Sequence, residues 1–237
     1  MIELEFWKYS SGFDKARMLL ESLLSPQEQH ELERMTIPQR RDEWLASRWL
    51  AKQLIRQTVK IPDEEIGIIE IKKDFSGKPW VMVSGEPFGS ISLSHSGGAV
   101  LAGFSQNEAD IFGCDLEKIT SHSEAFLEDY FTTGEQSWLA DSEDLPRDSS
   151  LLWSIKEAAM KALGRGLSMD TRIVECRSWL HQITTPSGWQ QFEISVAGLP
   201  YQPRAAWRQV DEYVLTICQL AGPAEVELKL TIKDPGV

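Results

Sequence analysis

The residues of this chain best suited to chemistry are three carboxylates and two lysines in two stretches about forty residues apart. In Phe112-Gly113-Cys114-Asp115-Leu116-Glu117 a strand's period of two puts Asp115 and Glu117 on one face and Cys114 and Leu116 on the other. Two carboxylates pointing the same way repel each other unless a proton or cation sits between them, and a hard divalent ion such as Mg2+ satisfies both. An exposed acidic strand end is the competing explanation. The second stretch is Leu152-Trp153-Ser154-Ile155-Lys156-Glu157-Ala158-Ala159-Met160-Lys161. Leu152, Ile155, Ala159 and Leu163 recur at helical spacing and face a core, which leaves Lys156, Glu157 and Lys161 clear of it. Alone, Glu157 and Lys161 read as an ordinary i,i+4 surface pair. The charge around them weakens that reading, because thirteen acids face only three bases between Glu108 and Glu157. A metal would relieve part of that excess.

The balance reverses earlier in the chain, where seven bases between Arg34 and Lys60 face only Asp42 and Glu43. At about 100° per residue, Arg41, Arg48, Lys52 and Arg56 share one side of a helix, while Trp44, Leu45, Trp49, Leu50 and Leu54 turn toward a core. Such a stripe is either a solvated face or a phosphate site, for which the planar guanidinium fork is well suited. Two further fragments fit the second option. Gly77-Lys78-Pro79 sets a lysine in a tight turn, and Ser92-Leu93-Ser94-His95-Ser96-Gly97-Gly98 ends a strand with hydroxyls, an imidazole and glycines. Ser94 and His95 are consecutive, so they point to opposite faces and make a poor nucleophile–base pair. A histidine capping a strand end is the structural alternative.

The elements that must hold these groups follow from periodicity. Helical patterns run over 19–35 and 38–57, then strand-like runs over 66–71, 80–83, 90–93, 99–104 and 111–116. Helices return over 123–131, 134–140 and 150–163, followed by strands over 191–196, 204–208, 213–220 and 226–232. Helices then strands, twice, predict two α+β halves meeting near residues 105–112, although no residue-level repeat is evident. The chain of 237 residues carries 42% hydrophobic residues and nine tryptophans, enough for a sizeable core. Its net charge of −12 argues against nucleic-acid or anionic-membrane binding driven by whole-protein attraction. Cys114, Cys176 and Cys218 show neither a disulfide framework nor a zinc spacing. The acidic start and the lack of a run of about 18 apolar residues lead us to expect a cytoplasmic protein with no membrane span.

The order of the fragments resembles a known family. RRDEWLASRWLAK (Arg40 to Lys52), GKPW (Gly77 to Trp80), SLSHS (Ser92 to Ser96), FGCDLE (Phe112 to Glu117) and WSIKEAAMKALGRGL (Trp153 to Leu167) are similar in succession to the two-half, surfactin-synthetase-activating type of 4′-phosphopantetheinyl transferase. The resemblance implies an α+β fold. Two similar α/β halves would be related by a pseudo-twofold, each a small, mainly antiparallel sheet packed with helices, with the active site in the cleft. Residues 1–110 would hold the basic helix and the GKP and SHS motifs, and residues 111–237 the DLE and WSIKEAAMK motifs. It implies Mg2+, or Mn2+ in its place, on Asp115, Glu117 and Glu157. Coenzyme A would be the co-substrate, contacted by Arg41, Arg48, Lys78, Ser94, His95, Lys156 and Lys161, with Glu157 and Lys161 catalytic. The expected reaction moves the phosphopantetheine arm to a serine of an apo acyl or peptidyl carrier protein, on a monomeric enzyme. The segment 120–139, with Phe126, Tyr130, Phe131 and Trp138, is where apolar contacts to the carrier are expected if these aromatics are not core. A metal-dependent nuclease and an inactive coenzyme A-binding module are the competing classes.

Overall fold

The computed structural model describes residues 1–9, 21–165, 169–178, 188–221 and 227–233. The start of the first expected helix, the Gly166-Leu167 end of the last motif and the first residue of the last expected strand lie outside them. The first elements are β1 (Ile2–Lys8), α1 (Pro26–Glu33), α2 (Pro38–Val59), β2 (Ile69–Lys73), β3 (Pro79–Val83), β4 (Glu86–Pro87), β5 (Ser90–Ser96) and β6 (Ala99–Ser105). Then come β7 (Ile111–Lys118), α3 (Glu124–Tyr130), α4 (Thr133–Ala140), α5 (Leu145–Ala162), β8 (Val174–Ser178), β9 (Gln190–Val196), β10 (Arg204–Val210), β11 (Tyr213–Ala221) and β12 (Leu228–Lys233). These form two compact units of small sheets packed with helices, the first made of the chain up to Asp110 together with β12, and the second beginning at Ile111.

In the first unit β1 lies between β12, its parallel neighbour, and antiparallel β6, with β5 beyond; β2, β3 and β4 make a second small sheet. The C-terminal strand, expected in the second half, is therefore built into the first. Pro38 starts α2 where a missing N–H costs nothing, and Lys60 ends it in the left-handed conformation at φ 61°. Leu45, Leu50, Leu54 and Ile55 of α2 join Trp7, Ile71, Val100 and Phe104 in one core. Each such side chain contributes about 1.5–3 kcal/mol on burial.

The second unit is one antiparallel sheet in the order β7-β11-β10-β9-β8. Across it lies α5, capped by the Asp144 side chain and packing Leu151, Leu152, Ile155 and Ala159 with Ile194, Val214 and Cys218. Both units repeat one order of elements: a short helix opened by a capping box, a long helix, a 3-10 turn and two antiparallel strands.

Two local expectations change. Residues Asp63–Ile68 form a 3-10 turn, and the strand begins only at Ile69. The spacing explains this, since Ile66 to Ile69 is a 3-10 step and Ile69 to Ile71 a strand step, and all three side chains are buried. β1, the two-residue β4 and β8 fall outside the strand-like runs of the sequence.

Candidate functional site

Asp115, Glu117 and Glu157 each bring a carboxylate oxygen to within 4.8 Å of the others. The strand period supplies the first two, which lie opposite Thr216 and Val214 of β11. The third comes from α5, where Trp153, Glu157 and Lys161 follow at i,i+4 spacing. Helix and strand approach this closely because residue 113 is glycine: a Cβ there would strike the backbone of Ala158 and lie 2.6 Å from Ala162 N. Lys161 Nζ is 2.5 Å from Asp115 Oδ1 and 3.8 Å from Glu157 Oε2.

The electrostatics match a cation site. Burial, and then the neighbouring Asp115, push the Glu157 carboxyl up to about 8. Burial opposes the Lys161 ammonium, but Asp115 and Glu157 outweigh it and raise its pKa. Three oxygen donors of this kind suit Mg2+ or Mn2+. They would bind such an ion in place of the proton that Glu157 otherwise keeps.

Lys156 is not brought to this cluster. The expectation that it stands clear of the core fails, for it is 0% exposed. Its ammonium sits 2.9 Å from Glu135 of α4 and donates to the carbonyls of Val174 at 2.5 Å and Thr171 at 3.2 Å. The aromatics of 120–139 divide: Phe131 is core, Phe126 and Trp138 pack against it, and Tyr130 is exposed.

The basic helix also differs from a solvated stripe. Lys52 is buried against Glu28 at 2.8 Å, and Arg48 is buried with its Nε 3.9 Å from the same carboxylate. Burial lowers the pKa of both, against the pull of Glu28. Arg48 also lies under the Trp44 ring, 4.7 Å from its centroid, and lines a cavity of about 690 Å³ within the first unit. Arg34, Arg40, Lys73 and His95 line the same cavity, and Ile37, Trp44, Pro79 and Leu93 give it apolar walls. Of the other expected contacts, Arg41 turns to Glu21 at 3.0 Å, Ser94 is buried in β5, and Lys78 is half-buried beside Gly77, whose backbone reaches the cavity. Sequence reasoning missed Arg34, Lys73 and Trp44 as pocket residues, because they converge only through folding.

Two outcomes follow. At pH 7, binding of Mg2+ or Mn2+ should expel about one proton, with affinity climbing as pH rises toward 8 and levelling above it. Calorimetry in two buffers of different ionisation enthalpy measures this, and a pH-independent affinity would contradict it. Gly113→Ala should force α5 off β7, cost about 1–3 kcal/mol of stability and weaken Mn2+ binding, read by thermal melting and metal titration.

Residues 111–218 match the family model of the 4′-phosphopantetheinyl transferase superfamily. The chain is 28% identical over 170 residues to the 4′-phosphopantetheinyl transferase gsp of Aneurinibacillus migulanus, covering 70% of this chain and 68% of that protein. It is 28% identical over 170 residues to a phosphopantetheinyl transferase of Thraustochytrium sp., covering 65% of this chain and little more than half, 57%, of that one. Against the crystal structure of Thermotoga maritima holo-[acyl-carrier-protein] synthase the TM-score is 0.38 at 17% identity, over 46% of this chain and 62% of that one, a likeness too slight to bear on the site. The residues matched to that superfamily model hold all three carboxylates and Lys161.

Proposed function

We propose that this enzyme transfers the 4′-phosphopantetheine arm of coenzyme A to a serine of an apo acyl or peptidyl carrier protein, dependent on Mg2+ and with release of 3′,5′-ADP. The observation behind this reading is the convergence of Asp115, Glu117 and Glu157 beside Lys161. In the reaction the serine oxygen bonds to the β-phosphorus of the coenzyme, and the bond from that phosphorus to 3′,5′-ADP breaks. Mg2+ held by the three carboxylates would supply charge stabilisation on the pyrophosphate. Lys161 adds a fixed positive charge beside these carboxylates, without needing to titrate near neutral pH. Glu157 is our candidate for accepting the serine proton, directly or through water.

The cavity of the first unit suits the nucleotide end of the donor: flat apolar walls for a base, with Arg34, Arg40, Arg48, Lys73 and His95 for its phosphates. We place the protein in the cytoplasm as a monomer. Its cysteines carry thiols, and no helix among the described residues is long and apolar enough to cross a membrane.

Incubation with coenzyme A, Mg2+ and an apo carrier protein should add about 340 Da to the carrier, the mass of one arm by covalent composition. Glu157→Gln should lower kcat about 100-fold or more in the same assay. An unmodified carrier, or near-normal turnover of the variant, would contradict the assignment. Arg40→Ala, at an exposed pocket position, should raise KM for coenzyme A with Tm unchanged, measured by steady-state kinetics and thermal melting.

A further inference from the structure

Both units contain the same buried ionic peg, and its chemistry says what Lys156 does. In the first unit, Ser25 opens α1 with a capping box closed by Glu28. Glu28 Oε2 accepts from Ser25 N at 2.9 Å and pairs with Lys52 Nζ at 2.8 Å, while Oε1 accepts from Ile71 N at 3.2 Å. In the second unit, Thr132 opens α4 with a capping box closed by Glu135. Glu135 Oε2 accepts from Thr132 N at 2.8 Å and pairs with Lys156 Nζ at 2.9 Å, while Oε1 accepts from Cys176 N at 2.9 Å. Each lysine is 0% exposed, and each also donates to backbone carbonyls, Lys52 to Leu23 and Lys156 to Thr171 and Val174.

The lysines occupy one motif, Trp49-x-x-Lys52-Gln53 in α2 and Trp153-x-x-Lys156-Glu157 in α5. The expectation that the chain has no residue-level repeat therefore does not hold. The comparison is informative because the residue after the lysine differs. The first unit has the peg but Gln53 where the second has the carboxylate of Glu157. The peg thus recurs without a metal ligand beside it, which assigns it to seating the long helix. On α5 a second tether assists: Ser154 and Thr216, both buried, exchange contacts at 2.8 and 3.0 Å, and Thr216 lies directly opposite Asp115.

We propose that Lys156 is a positioning residue, whose buried pair with Glu135 fixes α5 so that the next side chain, Glu157, meets Asp115 and Glu117. This rests on the reading of the three carboxylates as a cation site. A buried pair of this kind makes one partner costly to remove alone, whereas removing both charges together leaves none stranded. Supporting groups behind a metal ligand typically change affinity 10- to 100-fold.

The test compares wild type, Lys156→Met and the double variant Glu135→Gln/Lys156→Met, with Mn2+ alone as the probe and coenzyme A without metal as a second probe. The double variant should melt cooperatively and bind Mn2+ about tenfold more weakly. It should keep its metal-free affinity for coenzyme A within about twofold and recover kcat at saturating Mn2+. Lys156→Met alone should lose more of its stability than the double variant; if it does not fold, the double variant decides. Unchanged Mn2+ affinity in the double variant would overturn the proposal. So would a selective loss of coenzyme A affinity, which would return Lys156 to the phosphates. Wild-type protein that binds no Mn2+ would overturn the cation reading first, so the two failures are distinguishable.

Discussion

Mutual repulsion among three carboxylates is the constraint on which this site depends. Two unit charges 4 Å apart repel by about 4 kcal/mol at an effective dielectric of 20, and here three acidic groups lie within 4.8 Å. Something else must hold the charges together. The apolar seam of α5 does so, packing Leu152, Ile155 and Ala159 into the same core as Val214 and Cys218 of β11. With Lys161 counted, the fully ionised cluster keeps a charge of about −2, the charge a divalent ion brings. Without that ion the strain appears as the proton retained by Glu157 up to a pH of about 8.

The first unit meets a similar problem with a resident ammonium. Lys8 and Lys118 both stand opposite the first residue of the next antiparallel strand, Ala99 and Tyr213, so Glu5 of β1 matches Asp115 of β7. Both are buried. Glu5 faces Lys233 of β12 at 3.4 Å. The Gln57 amide, oriented by its neighbours, bridges the two at 3.1 and 3.0 Å. Gln53 and Gln57 hold the helix positions that Glu157 and Lys161 hold in α5. One frame has thus been furnished in two ways, and the second unit is where Asp115, Glu117 and Glu157 come together.

Much of the carboxylate cluster was legible in the sequence because its spacing follows from local periodicity. Asp115 and Glu117 obey the strand period, and Glu157 and Lys161 the helical one. The lysines that were misread failed for a different reason. A helical wheel turns every charge outward, yet Lys52 and Lys156 are drawn inward by glutamates more than twenty residues away in the chain. The available signal was the pair of capping boxes, Ser25-x-x-Glu28 and Thr132-x-x-Glu135, set before two copies of Trp-x-x-Lys. The cavity was less accessible still, since Arg34, Arg48, Lys73 and His95 come from four separate segments.

The cavity also bears on how a protein of net charge −12 could take up a polyanion. Distant acids matter little, because screening at physiological salt has a length of about 8 Å. What matters is the direction in which nearby cations present their donors. Glu28 lies behind Arg48 and Lys52, and Glu31 accepts from the Trp44 indole at 3.1 Å and pairs with Lys73 at 3.5 Å. One face of α1 therefore braces three residues that line the cavity, Arg48, Trp44 and Lys73. Each bracing acid lowers the net positive charge of the wall. In return it restricts where a guanidinium or indole can point, reducing the ordering entropy that a ligand would otherwise have to overcome. Local orientation, more than overall charge, is what makes such a wall selective for an anion.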